Sequence, residues 1–294
     1  MKVRIFDKDI DLKEYGCNNG RIPGRHIPRS VNLFVKVTNR CNAACRFCSN
    51  AGYTKKQVPF NHEKLWSVVD ELMANGIMIN RINITGGEPS VVGDVVNDVL
   101  FRASDAKYQD IHLHLNTNGL TADSRKLMTN PRWDSISISL HHYDPEKLSE
   151  IYGIGISPEM LSFDDINIDK VNGSCNLIRG YIDTPKEVEK MLKFALSIGL
   201  PRLGFVSLMQ VNDYCRENYV DFSEVDFETI PRLYFTESRN RGADCKCSNY
   251  LYNCAGKMLE VYMRNYCNPT YCESSLLYDG EYLRQGFQSN NIIY

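Results

Sequence analysis

Asn32–Asn50 reads NLFVKVTNRCNAACRFCSN. Its first seven residues have the apolar, β-branched make-up of a strand, and the loop after them carries Cys41, Cys45 and Cys48 in a C-x3-C-x2-C spacing. Thiolate is a soft ligand suited to iron–sulfur clusters or zinc. The spacing lets three sulfurs converge from one compact loop, yet a structural zinc site or a closed cluster takes four protein ligands. His62 and Cys17 are the nearest candidates for a fourth, and nothing in the sequence recruits either. An open coordination position marks a catalytic centre rather than a structural one. A zinc site completed by a distant residue is the alternative.

Outward from that stretch the chain alternates short β-type runs with amphipathic helices. NHEKLWSVVDELMANG has Leu65, Val68, Val69, Leu72 and Met73 at helical spacing, with Gly76 to end it. RINIT is the next strand, SVVGDVVNDVLFRASD the next helix, then IHLHLNTNG, TADSRKLMT and the strictly alternating DSISISLHH. DPEKLSEIYG starts a helix capped by Asp144. SCNLIRGYI is a fifth strand. TPKEVEKMLKFALSIG is a helix with Thr184 as cap, Pro185 in its first turn and Gly199 at its end, and RLGFVSLMQ is a sixth strand. Six β/α repeats imply an α/β fold with a parallel sheet. Ligands of such sheets sit at the carboxyl ends of the strands. The three-cysteine loop, TGGEPS, NTNG and HHYD follow the first four strands in turn, so every unusual polar motif falls on one rim.

The 294 residues allow one large domain, or one with a smaller appendage, and 43% hydrophobic and 24% charged residues are ordinary for a globular chain. The expected divisions are a loop-rich lead-in over 1–30, a barrel core over 31–213 and a cysteine-rich extension over 214–294. A net charge of −2 gives no electrostatic case for nucleic acid. The opening MKVRIFDKDIDLKEYG lacks the apolar stretch of a signal peptide, and no apolar run reaches the length of a membrane span, so a cytoplasmic location is expected. In that reducing setting eleven cysteines argue for metal or redox chemistry over disulfides. Cys17, Cys175 and Cys215 stand alone and read as small buried apolar residues.

The C-x3-C-x2-C with Phe47 before its last cysteine, the TGGEPS of Gly86, Gly87, Glu88 and Pro89, and the NTNG of Asn116–Gly119 together resemble the radical S-adenosylmethionine (SAM) enzyme superfamily. The resemblance covers about residues 30–212 and implies a partial (β/α)6 TIM-like barrel. It implies a [4Fe–4S] cluster on Cys41, Cys45 and Cys48 whose open iron is chelated by the amino and carboxylate groups of SAM. It also implies reductive cleavage to a 5′-deoxyadenosyl radical, hydrogen abstraction from substrate, and a flavodoxin- or ferredoxin-type electron donor. Gly86, Gly87 and Glu88 would receive the methionine amino group, Asn116 and Ser139 the ribose and carboxylate, and Phe47 the adenine. Ser137 shares Ser139's face. Ordinary strand hydroxyls are the alternative for both serines. Arg179 is read either as a partner for a carboxylate or as a surface arginine. His141 and His142 are given no catalytic role. The substrate is a peptide or a small metabolite, and the reaction a rearrangement, crosslinking, epimerisation or oxidation. A non-catalytic iron–sulfur or zinc-binding electron-transfer protein is the rival class.

The tail spacing C-x-C-x6-C-x12-C-x4-C, from Cys245 to Cys272, is compatible with zinc. The resemblance extends to the SPASM and twitch branch, and so implies an auxiliary [4Fe–4S] cluster, assigned to Cys247, Cys254, Cys267 and Cys272 with Cys245 as the spare. LLYDGEYLRQGF reads as that branch's hairpin, turning at Asp279-Gly280. In the similar molybdenum-cofactor GTP cyclase a cysteine follows this hairpin. Here Arg284-Gln285-Gly286 stands in that region, so molybdopterin synthesis is not assigned.

Overall fold

The computed structural model describes residues 2–12, 29–50, 56–57, 59–238, 247–264, 274–286 and 291–294. The chain opens with an antiparallel hairpin, β1 (Lys2–Ile5) and β2 (Lys8–Asp11), turning through Phe6 and Asp7 at positive φ. Where a loop-rich lead-in was expected, Val3, Ile5, Ile10 and Leu12 are buried in the main core. Burying these four side chains offsets the ordering of a short ribbon that could not stand alone.

The repeats follow: β3 (Ser30–Lys36), α1 (His62–Ala74), β4 (Met78–Thr85), α2 (Gly93–Arg102), β5 (His112–Thr117), α3 (Ala122–Met128), β6 (Ser135–Ser139), α4 (Pro145–Tyr152), β7 (Val171–Leu177), α5 (Pro185–Ser197) and β8 (Arg202–Ser207). β3 to β8 pair in parallel in chain order. The expected caps are present. Asp144 starts α4, Gly153 ends it in the left-handed region, and Thr184 accepts from the Glu187 N–H ahead of Pro185. Leu65, Val68, Val69 and Leu72 of α1 share one core with Val31, Leu33 and Val35 of β3 and Ile82 and Ile84 of β4. The two-residue strand period therefore turns the apolar side chains toward the helices and leaves a polar inner face. Asn83, His114, Asn116 and Ser137 lie on it. The fifth barrel strand ends at Leu177, two residues before Arg179, which therefore lies past the strand on which the sequence placed it.

After a short helix, α6 (Asp213–Glu217), come β9 (Leu233–Ser238), β10 (Ser248–Cys254) and β11 (Lys257–Arg264), an antiparallel run whose last member pairs in parallel with β8. β12 (Ser275–Tyr278) pairs in parallel with β3 and in antiparallel with β13 (Leu283–Gln285). The result is an open 11-stranded sheet in the order β13-β12-β3-β4-β5-β6-β7-β8-β11-β10-β9. The tail thus extends the barrel sheet at both edges. The hairpin expected at Asp279-Gly280 is present. Asp279 accepts from the Tyr282 N–H at 2.8 Å and from Nε of Arg284 at 2.7 Å. Among the described residues no helix is long and apolar enough to cross a membrane.

Candidate active site at the cysteine loop

The loop leaving β3 is fastened at each step. Val37 N–H donates to the Thr85 carbonyl, Gly87 N–H to Thr38 and Glu88 N–H to Arg40, at 2.8–3.0 Å. The turn after β4 thus lies directly on the cysteine loop. A Cβ on Gly86 would come 2.6 Å from the Thr38 oxygen, and one on Gly87 1.8 Å from that of Arg40. No real side chain fits there. The sequence suggested that these glycines admit a ligand, but the close approach they permit here is to the backbone beside Cys41.

Glu88 is 1% exposed. Its Oε1 accepts from the Ser90 N–H at 3.1 Å and the Thr117 hydroxyl at 2.7 Å, and its Oε2 from the Asn118 N–H at 2.8 Å. Burial pushes this carboxyl above the usual range, against those three donors. Sequence reasoning placed Glu88 among the cofactor contacts, but its carboxylate is spent on bracing one loop against the next. Asn118 then reaches back, its Nδ2 donating to Oδ1 of Asn42 at 2.7 Å. From α4 the Tyr152 carbonyl accepts the Ala44 N–H at 2.7 Å, and near α6 the Asn212 amide donates to the Arg46 carbonyl at 3.1 Å. Asn42 and Thr117 escaped the sequence reading. Thr117 and Asn118 had a signal, since both fall within NTNG, whereas Asn42 had none.

Cys41, Cys45 and Cys48 are half-buried free thiols. Burial, then the charges of Glu88 and Cys48, pushes the Cys41 thiol up, partly offset by the Ala43 N–H. Burial, then Cys48 and Cys41, pushes Cys45 up to about 12. Such thiols ionise only when a cation compensates them, and bound metal reverses the balance. Among the described residues no three His, Cys, Asp or Glu side chains gather closely enough to hold a single metal ion. His62 faces Asp98 at 3.9 Å at the start of α1 and joins no such group, while Cys17 lies outside the described residues. The donor set fits an iron–sulfur cluster with three protein ligands.

The remaining sequence candidates divide. Phe47 is half-buried and meets the His141 ring edge-on at 4.9 Å. Asn116 and Ser139 are half-buried on the inner face, and Asn116 pairs with Ser137 in register. The Nδ2 of Asn116 reaches the Ile84 carbonyl at 3.4 Å, and the Ser139 carbonyl accepts the Tyr152 hydroxyl at 2.6 Å. Arg179 is not gathered with them. Its guanidinium pairs with Glu224 at 2.7 Å and donates to the Tyr219 carbonyl, half-exposed, as a surface arginine. His141 is buried. Its Nδ1 accepts the Asn176 N–H, and burial pushes its pKa down to about 3.

The tail assignment needs one correction. Cys247 precedes β10 and Cys254 ends it, so an extended strand separates them by about 24 Å. They cannot serve one cluster. Cys245, Cys267 and Cys272 lie outside the described residues.

Comparison with known proteins is consistent with this geometry. The family model described as "Radical SAM superfamily" matches residues 35–222. A probable GTP 3′,8-cyclase of Pyrobaculum aerophilum is 30% identical over 247 residues, covering 80% of this chain and 76% of that protein. The GTP 3′,8-cyclase of Aquifex aeolicus is 27% identical, covering 66% and 60%. Among solved structures, Streptococcus suis SuiB bound to S-adenosylmethionine superposes with a TM-score of 0.51 at 15% identity, covering 63% of this chain and 42% of SuiB. At that identity the likeness speaks for the fold alone, and the chain spans about two fifths of SuiB's length.

Proposed function

The chain belongs to the radical SAM superfamily, and from that premise we propose that it cleaves S-adenosylmethionine at a cluster held by Cys41, Cys45 and Cys48 and acts on a small polar metabolite. When bound, the cluster supplies the single electron that splits the sulfonium, so that the adenosyl fragment can take a hydrogen atom from substrate. The protein's part is to orient and enclose. The brace of Gly87, Glu88 and Asn118 fixes the cysteine loop, and Phe47, Asn116 and Ser139 would contact the cofactor. The observation that carries the reading is a loop of three thiols, Cys41, Cys45 and Cys48, braced from four sides.

A nucleotide is the favoured substrate class over a peptide. Relatives named GTP 3′,8-cyclase support it, as does the polar inner face. Arg284 argues against equating the product with theirs. It pins Asp279 in the hairpin whose counterpart in the cyclase is followed by a cysteine. An auxiliary cluster is part of the proposal, with a revised ligand set. Ser248 pairs with Met263, so the hairpin's two ends lie side by side. In sequence, Cys245 and Cys247 lead into that end, and Cys267 and Cys272 follow from it. Cys254 sits at the opposite, turn end and becomes the spare. The deciding assay is anaerobic. Reconstituted, dithionite-reduced protein given S-adenosylmethionine should release 5′-deoxyadenosine. An N-terminal centre that holds only zinc, or no such release, would leave the electron-carrier reading in its place.

A further inference from the structure

The cysteine loop lies in a stretch of one-signed charge. Between Glu14 and Glu63 the chain holds eight Lys or Arg and no Asp or Glu, although its net charge is −2. Two of those cations, Arg40 and Arg46, stand on the loop itself, on either side of Cys41 and Cys45 in sequence. A third, Lys56, precedes Gln57, whose side-chain oxygen accepts the Thr38 hydroxyl at the start of the loop. All three cations are exposed, and none of their side chains has an ion pair or a hydrogen bond among the described residues. Cations on α4, after β7 and on α6 are balanced instead: Lys147 holds Glu150, Arg179 holds Glu224 and Arg216 holds Asp213.

The loop keeps its charges in a fixed place. The Arg40 N–H donates to the Thr38 hydroxyl at 3.0 Å, and the Arg40 carbonyl accepts the Glu88 N–H at 2.8 Å. The Arg46 carbonyl is held by Asn212 and the Phe47 carbonyl by the Cys215 thiol at 3.4 Å. The Arg46 guanidinium lies 4.4 Å from the centre of the Tyr214 ring, over its face. Groups ordered beforehand lose little freedom on binding, and Arg and Tyr are the side chains enriched among interface hot spots.

Unbalanced positive charge on a surface attracts an acidic partner and speeds its arrival. These cations flank the sulfurs assigned to the cluster, and that cluster needs one electron from outside for each cleavage. An acidic protein that carries single electrons answers both features. Electron-transfer encounters are small and weak, so a few well-placed charges suffice to guide them. We propose that Arg40, Arg46 and Lys56 form the docking surface for an acidic one-electron carrier protein, an inference that rests on the reading of a cluster at Cys41, Cys45 and Cys48. One electron leaves the reduced carrier for the cluster, and no bond or proton changes hands.

The test uses anaerobic holoprotein and flavodoxin, an acidic carrier. Binding is read without turnover, from the broadening of ¹⁵N-flavodoxin resonances as holoprotein is added. Raising the salt from about 50 to about 300 mM should weaken wild-type binding about tenfold. The triple variant Arg40→Gln, Arg46→Gln, Lys56→Gln should lose about as much at low salt. A control triple at exposed lysines elsewhere, Lys2→Gln, Lys126→Gln, Lys186→Gln, should bind as wild type does. In turnover, dithionite needs no docking surface. The ratio of flavodoxin-driven to dithionite-driven release of 5′-deoxyadenosine should therefore fall about tenfold in the first triple variant. Unchanged affinity in that variant, or an equal loss in the control, overturns the proposal. Binding of a mixed-sequence RNA with none of flavodoxin overturns it too. A wild type that releases nothing with dithionite sinks the enzymatic reading, while the binding titration still decides the docking surface.

Discussion

Gly87 and Arg40 occupy neighbouring turns so closely that a methyl group on the first would lie 1.8 Å from the carbonyl oxygen of the second. The turn and the cysteine loop are therefore one mechanical unit. Gly87→Ala should push them apart. Overpacking of this kind costs about 1–3 kcal/mol or more. The expected result is a lowered melting temperature together with iron content reduced by about one cluster per chain. Gly155→Ala, at a position with open space, should leave iron unchanged.

Cys45→Ala should abolish release of 5′-deoxyadenosine. It removes one of the three proposed ligands of the cluster and leaves only Cys41, whose thiol burial pushes up, and Cys48. Anaerobic turnover and iron analysis check it, and residual activity above one hundredth of wild type would count against the ligand assignment.

The hairpin register separates the tail cysteines into two ends. Cys247→Ser should lower iron from about eight to about four atoms per chain, whereas Cys254→Ser should leave it near eight. Equal loss in both variants would restore the assignment suggested by spacing. A wild-type count near four would leave the tail without a cubane.

Buried His141 has its pKa pushed down to about 3 by desolvation. In the unfolded chain it takes a proton near its ordinary value of about 6.5. Its depressed value means a stability contribution present above pH 6.5 that is lost as pH falls from there toward 3. His141→Gln should flatten that part of the pH–stability curve, read by urea unfolding across the window.

Burial would raise the Asp279 carboxyl, but donors from the Tyr282 N–H, Arg284 and the Glu281 N–H outweigh it and hold its pKa below the usual range. Its contribution is therefore present above the ordinary carboxylate value and lost as pH falls through the lowered one. Asp279→Asn should cost about 1–2 kcal/mol at pH 7, and the difference from wild type should shrink in acid.

The barrel was legible because its signals are local. Strand alternation, helix stripes and caps such as Asp144 and Thr184 each occupy a few residues, and the three rim motifs follow strand ends directly. What escaped depends on distant partners. Lys2–Ile5 carries charges at alternate positions and turns at Phe6-Asp7, with no glycine signal, so only its burial in the core reveals a strand. Glu88 looked like a ligand contact because nothing local shows that Thr117 and Asn118 would claim both its oxygens. Spacing grouped Cys247 with Cys254, whereas an extended strand makes seven residues a long reach.

The pairing of β12 with β3 sets a timetable for biogenesis. Until β12 has been synthesised, Ser30–Lys36 has a neighbour on one side only. Its other flank stays open to strand addition by foreign chains until β12 pairs with it. The same delay leaves the cysteine loop at the end of that strand accessible to iron–sulfur delivery, so deletion of β12 and β13 should be felt first as failed cofactor loading and only then as lost chemistry.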